Sequence, residues 1–362
     1  MRKILVTGGA GFIGSNFVRY LLKTEPQVHV VNLDLLTYAG SMENLKDLPD
    51  PGRHTFIKGD ICDRPLIDEL LHTHEIDTVV HFAAETHVDR SLIYPETFLR
   101  TNVQGTFTLL EDVRQYWLGE KAHPHKAHRS HKVSTEHDSC TLHPKGPATT
   151  ESTPYAPSSP YSASKAASDH YVRAYGHTFG LPYSITNCTN NYGPNQFPEK
   201  LIPLMILNAV DGKPLPVYGD GQQIRDWLYV EDHCEAIWLI IRQGPPGQTY
   251  NIGGGSQPTN LQVIEHLCAT LDELRPNSPY VPHSSLMRFV ADRPGHDRRY
   301  AIDISKIKQQ LGWQPRQSLG TGLQHTIEWY LSHPEWVAAI RQQHEYQKWM
   351  ERNYLQRGEK QQ

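Results

Sequence analysis

The chain is poor in cysteine, in charge of either sign and in long apolar runs, and each shortage excludes something. Its five cysteines, Cys62, Cys140, Cys188, Cys234 and Cys268, are odd in number, widely spaced and form no C-x-x-C. That speaks against a disulfide framework or a thiolate zinc site. No run approaches the ~18 apolar residues of a membrane span, and MRKILVTGG at the start is too short an apolar stretch for a secretory leader. A reducing cytoplasmic setting is the expectation. Lys and Arg number 35 against 39 Asp and Glu, a net charge of -4, so no general field draws nucleic acid or an anionic membrane. Neither is expected as a partner. Any phosphate-bearing ligand must be held by local groups.

Histidine, in contrast, is abundant at 21 residues, and His123, His125, His128, His131, His137 and His143 crowd into one stretch. Histidine titrates near neutrality and binds metals. The spacings His123-x-His125 and His128-x-x-His131 suit ligands, yet no carboxylate is placed with them in this polar stretch. It reads as a solvated loop, with no metal.

At 362 residues, with 38% apolar and 20% charged, the chain has the composition of a folded protein of two domains. Its first half alternates β-rich runs (Lys3–Thr7, Val28–Asp34, His54–Asp60, Asp77–Ala83) with longer helical patterns. Runs apolar on both faces and separated by crossover-length segments predict an α/β fold, a doubly wound parallel sheet of Rossmann type. A smaller C-terminal substrate-binding domain should follow. Residues 1–191 form the first domain and 227–253 return to its sheet. Residues 192–226 and 254–350 form the second domain, and 351–362 a polar tail. Tyr192 to Gln223 is rich in Pro and Gly and shows no strand alternation.

Three helices stand out. Pro95 to Trp117 carries Val103, Phe107, Leu110, Val113 and Trp117 as one apolar stripe. Ser159 suits the N-cap and Pro160 the first turn of a helix running to about Thr178. The last helical stretch is Thr326 to Tyr354. A further buried strand is due before Ser134, but in Ala127–Val133 only Ala127 and Val133 are apolar, and a central strand cannot bury Arg and Lys cheaply.

Chemistry concentrates in two motifs. Gly8-Gly9-Ala10-Gly11-Phe12-Ile13-Gly14 follows the first strand and opens a helix bearing Phe17, Val18, Leu21 and Leu22. Glycines allow a tight turn and close approach to a pyrophosphate at the helix N-terminus. Asp34 ends the second strand about 20 residues on, where a carboxylate accepts from a ribose hydroxyl and repels a 2′-phosphate, which selects NAD over NADP. Tyr161 and Lys165, four apart at a helix start, share a face. The ammonium supports a tyrosinate able to take a proton from a substrate hydroxyl as hydride leaves its carbon.

These motifs sit in longer stretches: VTGGAGFIGS, LTYAG, GDICD, AAETHVDRS, TNVQGT, YAPSSPYSASKAASDH, TNCTNNYGP, FPEKLIP, QIRDWLYVEDH, YNIGG and ADRPGHDRRYAID. Together the sequence resembles the extended short-chain dehydrogenase/reductases, and within them the dTDP-glucose 4,6-dehydratases, over almost the whole chain. The resemblance implies NAD held by Gly8, Gly11, Phe12, Ile13, Gly14, Asp34, Thr37, Asp60, Ile61, Ala83, Ala84, Thr101, Tyr161, Lys165 and Asn190. It implies a nucleotide-diphosphate hexose bound by Thr86, His87, Thr135, Asn190, Lys200, Leu201, Pro216, Tyr218, Arg225, Asn260, Arg293 and His296. Glu85 should lie with Thr86 and His87 near nicotinamide and sugar.

The implied reaction is oxidation at C4 with Tyr161 as base, loss of water across C5–C6, and reduction at C6. Thr135 would polarise the C4 oxygen. The family keeps Ser-Thr-Asp-Glu-Val-Tyr-Gly where this chain reads Ser134-Thr135-Glu136-His137-Asp138-Ser139-Cys140. Glu136 therefore stands for the acid and His137 for the C5 base. A longer acid, an imidazole base and a polar preceding strand together predict slowed elimination. A weak epimerase or a non-catalytic binding protein are the alternatives. A homodimer is also implied, with helices near 97–118 and 161–178 pairing across a two-fold axis.

Overall fold

A computed structural model describes residues 1–119, 132–133, 146–292 and 298–351. Strands β1 (Arg2–Thr7), β2 (Val28–Asp34), β3 (His54–Lys58), β4 (Thr78–His81) and β5 (Lys132–Val133) form a parallel sheet in the order β3-β2-β1-β4-β5. The strand due before Ser134 is thus present, pairing Val133 with His81. β3 and β4 are shorter than their apolar runs.

The sheet is wound on both faces because alternate β1 residues enter different cores. Ile4 and Val6 pack with Phe17, Val18 and Leu21 of α1 (Phe12–Thr24). Leu5 packs with Ile67 and Leu71 of α2 (Arg64–Thr73). A short α3 (Val88–Ile93) follows β4.

The helix expected over Pro95–Trp117 is continuous in direction but not in type. It comprises α4 (Pro95–Phe98), a π-helical stretch Leu99–Gly105, and α5 (Thr106–Leu118). Hydroxyls of Thr106 and Ser168 both donate to the Asn102 carbonyl, at 2.6 and 2.5 Å. The wider turn also offsets the stripe. Leu110, Val113 and Trp117 are buried, but Phe107 is 42% exposed beside Tyr171.

α6 (Pro160–Phe179) begins as expected, with the Ser159 hydroxyl accepting from the Ser162 N–H, and stops at Gly180 in the left-handed region (φ 71°). β6 (Ser184–Cys188) and β7 (Asn190–Tyr192) come next. Then come α7 (Leu201–Val210), β8 (Leu215–Tyr218), β9 (Ile224–Arg225), β10 (Trp227–Tyr229), α8 (Val230–Gln243) and β11 (Gln248–Ile252). β8 is a strand where none was expected; at four residues, one of them Pro216, its alternation is too brief to register.

The expected return of 227–253 to the large sheet takes another form. Among the described residues β10 pairs with β7 and β11 with β6, each in a ladder of its own. Leu228, Val230, Tyr250 and Ile252 nonetheless join the core of Ile4 and Val6.

The remaining elements are α9 (Asn260–Leu274), β12 (Met287–Val290), β13 (Arg299–Tyr300) and α10 (Ser305–Leu311). The chain then forms α11 (Leu319–Ser332), α12 (Pro334–Arg341) and α13 (His344–Met350). The helix expected over Thr326–Tyr354 is therefore broken. Pro334 cannot donate to the preceding turn, and His333 before it takes φ -123°, ψ 55°. α7, α9, α11 and α12 share a third core around Ile202, Leu267, Ile327 and Trp336.

Candidate active site

The cofactor end is built by β1, β2 and α1. Gly8 turns the chain at φ 72°, and a Cβ there would lie 2.5 Å from the Ala83 nitrogen. A Cβ on Gly14 would collide with the Gly8 carbonyl. Gly11 caps α1 without a side-chain hydrogen bond, so the first amides of the helix stay available to an anion. Asp34 accepts from the N–H groups of Ala10 (2.9 Å) and Leu36 (2.7 Å), while burial raises its pKa against their pull. This cradle fits a dinucleotide. Gly8→Ala should lower NAD retention by roughly 10–100-fold, read as NAD released per purified chain, because a strained residue costs about 1–3 kcal/mol.

The hydride end is built by β4 and α6. Tyr161 and Lys165 are 4% and 5% exposed on the inner face of α6. The Asn102 side chain ties their helix to the loop after β4: it donates to Ser164 Oγ (2.8 Å) and the Glu85 carbonyl (3.1 Å), and accepts from the Glu85 N–H (2.8 Å). Behind it lies His81, whose Nδ1 is 2.6 Å from Thr7 Oγ1 and Nε2 3.1 Å from Thr106 Oγ1. Thr106 spends its proton on the Asn102 carbonyl, so His81 donates through Nε2 and accepts at Nδ1. Burial, then the charge of Lys165, push its pKa down to about 3, and it is a neutral strut.

Both ends open into one cavity of about 480 Å³. Each described residue assigned to cofactor lines it: Gly8, Gly11, Phe12, Ile13, Gly14, Asp34, Thr37, Asp60, Ile61, Ala83, Ala84, Thr101, Tyr161, Lys165 and Asn190. So do Thr86, His87, Lys200, Leu201, Tyr218, Arg225 and Asn260. Pro216 lies outside this lining. Thr135, Glu136, His137, Arg293 and His296 lie outside the described residues, as do the six clustered histidines.

The sequence reading passed over several lining groups. Glu199, between the quoted Pro198 and Lys200, has a side chain with no solvent exposure. Arg90 Nη2 is 3.6 Å away, and His87 Nε2 and Lys200 Nζ are each 4.0 Å away. Neither carboxylate oxygen has a hydrogen-bond partner among the described residues, and burial raises its pKa. Arg90 lies 3.7 Å over the Tyr38 ring, and Tyr38 donates to the Thr86 carbonyl at 2.9 Å. Tyr300, in the quoted RRYAID stretch, stacks under the Arg225 guanidinium at 4.5 Å. A buried acceptor flanked by cations suits a neutral hydroxylated ligand better than an anion. The two ends of the cavity therefore differ in what they attract.

Comparison with known proteins fits this geometry. The sequence model of the GDP-mannose 4,6 dehydratase family matches residues 5–326. The chain belongs to this family, within the extended short-chain dehydrogenase/reductases. Among family relatives, a dTDP-glucose 4,6-dehydratase of Neisseria meningitidis serogroup B is 53% identical over 338 residues, 93% of this chain and 95% of that protein. The dTDP-glucose 4,6-dehydratase 1 of Escherichia coli K12 is 51% identical over 360 residues, 97% and 99% of the two chains. The crystal structure of dTDP-glucose 4,6-dehydratase from Bacillus anthracis in complex with NAD superposes with TM-score 0.81 at 41% identity, covering 94% of this chain and 100% of that one.

Proposed function

We propose that the chain is an NAD-dependent lyase that converts dTDP-glucose to dTDP-4-keto-6-deoxyglucose. The observation that carries this reading is the single cavity joining the glycine cradle, Tyr161 with Lys165, and the Lys200, Arg225 and Asn260 wall. NAD, when bound, accepts hydride at one stage and returns it at another. Tyr161 takes the C4 hydroxyl proton, supported by Lys165, and Thr135 polarises that oxygen. The 4-ketone acidifies C5–H, which His137 removes while Glu136 protonates the departing C6 hydroxyl. Arg225 suits a diphosphate, and Arg293 and His296 complete the proposed nucleotide site.

The division of labour proposed is cofactor on 1–191 with 227–253, and nucleotide sugar on 192–226 with 254–350, ahead of a tail at 351–362. A cytoplasmic setting is in keeping with the free thiols of Cys62, Cys188, Cys234 and Cys268.

Purified protein given dTDP-glucose should form the alkali-dependent chromophore of a 4-keto sugar. NADH-like absorbance without keto-sugar release would replace this reading with a chain arrested before elimination. Melting shifts with neither signal would leave a binding protein.

A homodimer is part of the proposal. Leu99 (63%), Phe107 (42%), Tyr171 (42%) and Phe179 (47%) are exposed on the helices expected to pair, and an apolar surface of this kind favours a second copy. Phe107→Glu should shift the sedimenting species from dimer to monomer; an unchanged dimer would place the interface elsewhere.

A further inference from the structure

Asp226 is not itself on the cavity wall, yet both its neighbours, Arg225 and Trp227, are. The residue is 1% exposed. Oδ1 accepts the Gly254 N–H at 3.0 Å, and the amides of Gly255 and Ser256 also favour the charged carboxylate. Gly255 beside it takes φ 71°, and successive amides on such a left-handed turn make an anion nest. The fit is close on the loop side: a Cβ on Gly253 would lie 2.7 Å from Asp226 Oδ2, and one on Gly254 would run into the Trp227 carbonyl.

The loop held this way leads directly into the nucleotide wall. Arg225 N–H donates to the Pro258 carbonyl (3.2 Å), Asn260 N–H to the Gln223 carbonyl (2.9 Å), and Asn190 N–H to the Asp226 carbonyl (3.1 Å). β9 meanwhile pairs with β13, setting Tyr300 beside Arg225. Asn190, Arg225, Asn260 and Tyr300 come from four separate stretches of chain, and all four line the cavity. Asp226 is the point at which the stretches carrying Asn190, Arg225 and Asn260 are joined.

We infer that Asp226 is a positioning residue for diphosphate recognition, its carboxylate holding the 254–256 turn through the Gly254 amide so that Arg225, Asn260 and Asn190 face one ligand. The inference rests on the nucleotide-sugar reading above. The nest works with the anion, since a protonated oxygen would present O–H toward amide N–H. Burial alone pushes the Asp226 carboxyl up to about 7, against the pull of the three amides. Among the described residues no charged group contributes to its shift; Gly253 to Ser256 face it from the loop, with Ile302 and Ile304 packed against Gly253. The adjacent Arg225 is turned to the Tyr300 ring. The amide arrangement is therefore expected to loosen as pH falls through about 7.

The test is calorimetric titration with dTDP-glucose, whose esterified diphosphate does not itself titrate near neutrality, on the full chain and its Asp226→Asn variant from pH 6 to 9. Wild type should bind with constant affinity above pH 8 and more weakly below 7. Asp226→Asn, a permanently neutral isostere that brings a donor to the nest, should bind roughly tenfold more weakly at pH 8. Its affinity should vary less with pH, while NAD per chain stays at the wild-type level. A merely structural role would lower NAD content and melting temperature together and leave the profile's shape alone. Equal affinity and an equal profile in both proteins would overturn the inference, as would a flat wild-type profile, which needs no variant to fold. Failure of wild type to bind dTDP-glucose at all would instead overturn the nucleotide-sugar reading.

Discussion

Tyr161→Phe should retain NAD and a wild-type melting curve while keto-sugar formation falls by roughly 10²–10⁴-fold, the usual worth of a positioned proton-transfer group. The expectation follows from what the substitution keeps. The ring of Tyr161 packs edge-on against Phe98 at 6.1 Å, a contact phenylalanine keeps. The register of α6 is set by the Ser159 cap and by Asn102 bonding Ser164, neither of which involves the phenol. With the backbone so held, a loss of rate reports the hydroxyl. NADH-like absorbance should also be absent after substrate addition, because C4 oxidation precedes every later step. A Phe variant with full turnover would refute the pairing of Tyr161 with Lys165.

The parts of this site legible in the sequence are those whose chemistry is local. The glycine turn, Asp34 at the end of β2, the Ser159 cap and the four-residue spacing of Tyr161 and Lys165 each depend on contacts within one strand–turn–helix unit. The alternating cores of β1 were legible for the same reason. What escaped notice is non-local. Glu199 acquires its character only when Arg90, His87 and Lys200 gather around it at 3.6–4.0 Å. The π-helical stretch Leu99–Gly105 accompanies hydroxyls that reach Asn102 from Thr106 and, across a helix contact, from Ser168. No pattern of apolar residues encodes that, and the apolar stripe drawn through Phe107 failed where the turn widened. The break at Pro334 was locally encoded; the apolar periodicity running through it masked the signal. β10 and β11 were expected in the large sheet; Leu228, Tyr250 and Ile252 do reach its core, but hydrogen-bond partners, which among the described residues are β7 and β6, are not written in periodicity.

The double substitution Glu136→Asp with His137→Glu should raise keto-sugar release by up to ~100-fold, because a misplacement of ~1 Å in a reacting group costs about that much. The cofactor cradle and the Tyr161–Lys165 pair line one cavity, so C4 oxidation is expected in the wild type. Elimination is then the step expected to be slow, since it needs an acid and a base aligned on neighbouring carbons at once. Glu136 reaches one methylene further than the Asp that the family keeps, and His137 replaces a carboxylate with a ring of different shape. Imidazole has a serviceable basicity for the C5 proton, so geometry is the more demanding of the two requirements. In the wild type, NADH-like absorbance should build up after substrate addition, and in the double variant it should fall as keto sugar appears. Each single substitution should recover only part of the gain, since acid and base act on one transition state and their effects are coupled. An unchanged rate with no change in NADH absorbance would show that Glu136 and His137 already serve the elimination as they stand.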